Sequence, residues 1–176
     1  RGHKNSVDMP IYEEAYRFFG VDLSQVDGVG PSLVLALMSE VGTREQLKKS
    51  FRSAEAFASW LGLCPDNRIS GGRILKAKTR GVQSRLAAAL RLGAHGLGHS
   101  KNKLGEFCRR MKGRLGKAEG ITATAHKLAR ILYGVIVNQK PYSETEAFRL
   151  TPSSQKNRLK RLHNEAAAVG MQLVQI

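Results

Sequence analysis

A serine followed by two glycines, at Ser70, Gly71 and Gly72, lies between Arg68 and Arg73. The glycines leave the serine hydroxyl sterically accessible, and the two guanidinium groups could neutralise a phosphate that this hydroxyl attacks. Serine beside glycine is also a common turn sequence, and the neighbouring sequence has no evident general base. The residues alone therefore allow two interpretations of Ser70, a nucleophile toward phosphate and a polar turn residue.

The stretch around this serine is basic and free of acidic residues. Between Asp66 and Glu106 there is no aspartate or glutamate, and the whole chain has 29 lysines and arginines against 14 acidic residues, a net charge of +15. A solvated helical face usually alternates charge signs, whereas phosphates would relieve the repulsion within such a stretch. We therefore expect nucleic-acid contacts here, with a merely solvated basic surface as the alternative. The expected contact residues are Arg68, Gly71, Gly72, Arg73, Lys76, Lys78, Arg80 and Arg85.

The composition argues against a membrane as the polyanionic partner. No run approaches about 18 apolar residues, and no basic helix has an aromatic-rich opposite face. On charge alone, a ribosomal or chromatin-like structural protein fits as well as a DNA-processing enzyme.

A second phosphate-binding pattern occurs at Val26-Asp27-Gly28-Val29-Gly30-Pro31, which has the glycine spacing of a helix-hairpin-helix element. Ser24 is expected to cap a one-turn helix before it, and Pro31 to begin the helix after it. Gly28 and Gly30 would let the backbone approach a phosphate at the helix N-terminus. An ordinary corner between two helices also needs glycine, and there is no Lys or Arg between residues 29 and 40 to strengthen phosphate binding.

Metal binding is not predicted for this chain. His95 and His99 have helical i,i+4 spacing but lack a third ligand at a plausible distance in the sequence, and the carboxylates are scattered. Cys64 and Cys108 lie far apart, and we expect both to be small core residues in a reducing cytoplasm.

The periodicity of apolar residues predicts an all-α protein. The segment from Leu63 to Gly81 interrupts it and is expected to be a glycine-rich basic loop or a short hairpin. In the helix at 53–62, Ser53 is the expected cap, and Phe57, Trp60 and Leu61 share one face. The other predicted helices cover 10–19, 31–41, 83–97, 102–115, 121–138 and 153–169.

Five segments in this order resemble the C-terminal transposase domain of the IS-one-ten family of insertion sequences. They are VDGVG, FASWLGLCPDNRISGG, KTRG, LGEFCRRMKGRLG and TATAHKLARILY, within residues 20–142. The resemblance implies a bridge-RNA-guided DNA recombinase whose C-terminal domain supplies a nucleophilic serine, and that serine matches Ser70. It also implies a homo-oligomer that binds DNA and RNA. The Mg²⁺-binding acidic quartet of this family lies in a separate, RuvC-like domain.

No strand-rich acidic domain is recognisable in this chain, and its first residues lack an initiator methionine. We therefore expect a part of a longer transposase, with no cofactor of its own, that binds nucleic acid but is inactive alone in the bacterial cytoplasm, near the nucleoid. The expected organisation is an N-terminal linker at 1–20, the transposase domain at 21–142 and a basic helix at 143–176. The alternative function is a non-catalytic helix-hairpin-helix module that binds nucleic acid.

Overall fold

A computed structural model of the chain describes residues 10–149 and 152–172. The described part is mainly helical, which confirms the predicted all-α class. It divides into two units, residues 1–142 and residues 143–176. No helix in the described ranges is long and apolar enough to cross a membrane.

The first unit contains seven helices and a two-stranded ribbon among its described residues, and the second contains two helices. In chain order they are α1 (Ile11–Phe19), α2 (Pro31–Val41), α3 (Arg44–Ser50), α4 (Ala54–Trp60), β1 (Pro65–Ser70), β2 (Arg73–Thr79), α5 (Arg85–Gly96), α6 (Lys103–Leu115), α7 (Lys117–Asn138), α8 (Glu144–Ala147) and α9 (Pro152–Ala168). A single 3₁₀ turn, Leu97–His99, continues from α5.

Helix α7 is the centre of the first unit and packs against α4, α5 and α6. Its Leu128 and Leu132 are fully buried, as are Leu90 of α5 and Leu104 of α6. Burying one such leucine stabilises the fold by about 1.5–3 kcal/mol, so this layer of side chains fixes how the helices are arranged.

The predicted start of α4 is confirmed, because Ser53 accepts a hydrogen bond from the Ala56 amide at 3.1 Å. The predicted common face of this helix is only partly buried. Phe57 and Leu61 are buried, but Trp60 is 43% exposed while it lies against the Phe51 ring at 5.2 Å. Trp60 therefore lies at the edge of the core and not inside it.

Helix α3 was not predicted. Thr43 accepts a hydrogen bond from the Gln46 amide, and the Gln46 side chain accepts one from the Thr43 amide at 2.8 Å, which is a capping box. Only Leu47 of this seven-residue helix is buried, so the segment has no apolar periodicity to reveal it.

The predicted one-turn helix at Ser24 is wrong. Residues 23–29 form successive turns instead, with hydrogen bonds from the Val26 amide to Leu23 and from the Val29 amide to Val26. Ser24 caps nothing here, because both its amide and its hydroxyl donate to a carboxylate oxygen of Asp22, at 2.8 and 2.6 Å. A local Asx turn has replaced the first turn of a helix.

Candidate nucleic-acid interface

The segment from Leu63 to Gly81, for which the sequence allows either a loop or a short hairpin, contains an antiparallel ribbon of β1 and β2. The register has an irregularity between Arg68 and Ile69, which is typical of a β-bulge. Gly71 and Gly72 join the strands with φ angles of +54° and +75°. Two positive φ angles in a two-residue loop are the requirement of a type I′ turn, and this requirement explains the glycine pair.

Ser70 lies at the tip of this ribbon, as the last residue of β1. It is exposed, and its Cα is paired with that of Arg73 across the turn. A Cβ built on Gly71 or Gly72 would meet no atom within 4 Å, so the tip is open to solvent. The backbone thus brings the serine, the glycine pair and one arginine together where a phosphate backbone could approach.

The strand register pairs one basic position with another basic position and a second with an acidic one. Arg68 is the Cα partner of Lys76, and Lys78 is the partner of Asp66, the one acidic residue of the two strands. The side chains of Arg68, Arg73, Lys76 and Lys78 lie outside the described part of the structure. Their contacts with nucleic acid therefore stay predictions.

Arg80 fixes the base of the ribbon to α4. Its Nη2 donates to the backbone carbonyl of Ser59 at 2.8 Å and to the Ser59 hydroxyl at 2.9 Å. The side chain is nevertheless exposed, and a guanidinium group has five N–H donors. Arg80 can therefore hold the ribbon and still present donors to solvent.

The segment that follows the ribbon is tied to α2 through Glu40. One carboxylate oxygen accepts from the Ser84 hydroxyl at 2.8 Å, and the other accepts from the Leu86 amide at 3.1 Å. Ser84 also caps α5 by accepting from the Ala87 amide at 3.0 Å. Arg85, a predicted phosphate contact, is exposed in the first turn of this anchored helix. No local pattern indicates the role of Glu40, because 44 residues separate it from Ser84.

The second predicted phosphate site, at Gly28 and Gly30, borders an open cleft of about 500 Å³ between the turn and α5. Gly30 precedes α2 with an extended backbone and provides no side-chain cap, and Pro31 is the first helical residue, as predicted. The cleft lining contains Asp27 and no lysine or arginine. Backbone amides, serine hydroxyls of the lining and the positive end of the helix dipole are what would attract a phosphate here.

Close packing against α5 holds this glycine turn in place. Gly28 has a φ of +81°, and a Cβ on it would lie 2.9 Å from Cγ of Leu97. A Cβ on Gly93 of α5 would overlap the carbonyl oxygen of Gly28. The glycine turn and α5 therefore pack backbone to backbone, which fixes the mouth of the cleft.

An ionisable cluster joins α4 and α7. Arg130 pairs with Glu55 at 2.6 Å. Burial, followed by the charge of Arg130, lowers the pKa of both His126 and Lys127. Burial also raises the pKa of the Cys64 thiol. His126 is consequently a neutral, half-buried residue at neutral pH.

Histidines 95 and 99 are both exposed, and α5 ends between them, so they do not share one regular helix. Within residues 10–149 and 152–172, no group of three or more His, Cys, Asp or Glu side chains is arranged to hold a metal ion. Cys108 is buried, as expected, and its thiol donates to the carbonyl of Ala94.

Part of the chain matches a known protein family. Residues 22–108 match the model of the transposase IS116/IS110/IS902 family, a segment that contains the glycine turn, the ribbon and α5. No curated protein and no solved structure gave a significant match. This chain therefore contains, at residues 22–108, a transposase segment of the IS116/IS110/IS902 family.

Proposed function

We propose that this chain binds DNA through its ribbon and supplies Ser70 as the nucleophile of strand exchange at insertion-sequence ends. The observation that carries the proposal is the open tip, where an exposed serine precedes a type I′ glycine turn and is paired with Arg73. A purely structural turn needs the glycines but does not need a hydroxyl before them.

In the proposed reaction, the Ser70 hydroxyl oxygen forms a bond to the phosphorus of the scissile phosphodiester. One ester bond between phosphorus and a sugar oxygen breaks, and the freed sugar oxygen is the leaving group. The hydroxyl proton departs as the new bond forms, so the products are a phosphoserine link and a free sugar hydroxyl. Arg68 and Arg73 are the residues of this chain suited to neutralise charge on the phosphate.

We propose that Mg²⁺ is bound by an acidic domain that is not among these 176 residues, and that the serine completes an active site with it. The isolated chain should accordingly bind DNA without cleaving it. A guide RNA, a homo-oligomer and a cytoplasmic location near the nucleoid belong to the same proposal.

The test is a covalent adduct between labelled DNA and a full-length transposase that contains this chain. Denaturing electrophoresis should show the adduct for the wild-type protein and none for Ser70→Ala, while DNA affinity stays within about twofold because only one hydroxyl is lost. Ser39→Ala is the matched control, since Ser39 is also exposed and bonds only its own helix, through the carbonyl of Ala36.

The control should form the adduct at the wild-type level. An adduct that persists in Ser70→Ala would remove the nucleophile role and leave the non-catalytic binding module as the function of this chain.

A further inference from the structure

The outward side of α6 carries a row of cations that the ribbon does not include. Lys103, Arg110 and Arg114 are all exposed, whereas Leu104 and Cys108 of the same helix are buried. We call these three cations the α6 face. At about 100° per residue, they fall within about 40° of one another around the helix axis, and they span about 16 Å along it.

The cations of this region greatly outnumber the acids. From residue 101 to residue 117 there are seven lysines and arginines and one acidic residue, Glu106. Attraction to the helix dipole would explain cations in the last turn of α6, such as Arg114. It does not explain Lys103, which is the first residue of the helix and lies at the positive end of the dipole.

The two arginines of the α6 face contact uncharged groups, and these contacts do not neutralise their positive charges. Arg110 lies one turn after Glu106 but is placed over the ring of Phe107, with 5.5 Å from its Cζ to the ring centroid. Arg114 contacts the sulfur of Met111 at 3.6 Å. Neither arginine forms an ion pair with a carboxylate in the part of the chain that the structure describes. Their positive charges therefore remain available to an anionic partner.

We propose that the α6 face binds the phosphate backbone of duplex DNA, as a contact surface additional to the ribbon. The inference rests on the proposed function, because it assumes that the chain engages DNA during transposition. A straight row of about 16 Å spans the axial rise of about five nucleotides in one strand of B-DNA. DNA is favoured over an acidic protein because residues 22–108 match a transposase family.

The test compares three variants of the 176-residue chain, each lacking three positive charges. The first is K103Q/R110Q/R114Q on the α6 face, and the second is R73Q/K76Q/K78Q on the ribbon. The third, K48Q/K49Q/R52Q, is the matched control, because its three residues are exposed on or just after α3 and form no ion pair among the described residues. Affinity for a short DNA duplex and for an RNA duplex is measured between about 50 and 200 mM salt.

Three lost phosphate contacts make the slope of log K against log salt shallower by about 2.7. Over a fourfold rise in salt, the wild-type protein should then lose about 40-fold more DNA affinity than the α6 variant. The control variant should keep the wild-type slope. If the triple α6 variant is poorly folded by circular dichroism, K103Q/R110Q replaces it, with an expected change in slope of about 1.8.

The ribbon variant separates the two proposals. A shallower slope for the ribbon variant with an unchanged slope for the α6 variant overturns the α6 surface and leaves DNA binding by the ribbon intact. Unchanged slopes for both variants overturn DNA binding as proposed for this chain. A change for the α6 variant with RNA alone overturns DNA as the partner of this face.

Discussion

Gly93 and Gly96 lie in the same helix, α5, and should respond to alanine with opposite changes in stability. A Cβ on Gly93 would overlap the carbonyl oxygen of Gly28, whereas a Cβ on Gly96 would meet no atom within 4 Å. The Gly28 turn cannot move away freely, because Gly28 has a φ of +81° and is packed against Leu97. The two substitutions therefore add the same methyl group to a crowded and to an open position.

The expected magnitudes follow from these surroundings. Alanine stabilises a helix interior over glycine by about 0.5–1 kcal/mol, and Gly96→Ala should gain the lower part of this range because it is the last residue of α5. Overpacking costs about 1–3 kcal/mol, and a backbone carbonyl does not rotate aside as a flexible side chain does, so the upper end applies to Gly93→Ala. After the gain in helix propensity, its net cost is about 2 kcal/mol.

Urea denaturation of the chain measures both changes by linear extrapolation. The midpoint of Gly96→Ala should lie above that of the wild-type protein, and the midpoint of Gly93→Ala below it, with unchanged slopes. A Gly93→Ala variant as stable as the wild-type protein would refute the backbone contact between α5 and the glycine turn. The difference between the two variants, about 2.5 kcal/mol, removes any effect common to Gly→Ala changes.

Two further predictions concern the ribbon and His126. Asn tolerates a positive φ, so Gly71→Asn should keep the type I′ turn. Gly71→Ala should lower the stability of the ribbon by about 1 kcal/mol, which would speed amide hydrogen exchange in β2 about fivefold. Equal exchange in the two variants would contradict this assignment of the turn. Burial, followed by the charge of Arg130, lowers the pKa of His126 below 6.5. The unfolded chain therefore binds a proton at His126 more tightly than the folded chain does, and the free energy of unfolding should fall as the pH drops below 6.5. His126→Gln should weaken this dependence in urea titrations at about pH 7.5 and pH 5.5, and an identical dependence in both proteins would contradict it.

The elements that sequence predicted well have local signals at their ends. Pro31 begins α2, Ser53 caps α4, and Asn102 caps α6 by accepting from the Gly105 amide at 2.8 Å. Each signal acts within one turn of the helix, so it can be recognised in the sequence without knowledge of the fold. The exposed position of Ser70 could be predicted for a similar reason, because its glycine pair is adjacent in the sequence.

The start of α7 was misplaced because one glycine has a role that only the tertiary structure reveals. The sequence predicts a start at residue 121, just after Gly120, but the helix begins at Lys117. A Cβ on Gly120 would lie 2.5 Å from the backbone nitrogen of Lys112, so this glycine allows α7 to cross close to α6. In sequence, a glycine at a close crossing resembles a glycine at a helix end.

The attachment of the ribbon to the helices determines the position of Ser70, the proposed nucleophile. Arg80 fixes the end of β2 to α4, and Glu40 holds Ser84 at the start of α5, so the β2 side of the ribbon's base is bound to the helical core through two contacts. The six residues of β1 extend about 20 Å from this base at about 3.3 Å per residue. Ser70 thus lies at the end of the ribbon that is farthest from its base, next to Gly71 and Gly72, which are open to solvent. A nucleophile that is activated within its own domain needs its catalytic partners within hydrogen-bond reach. In the proposed function, a serine at the end of the ribbon instead enters an active site that another domain completes.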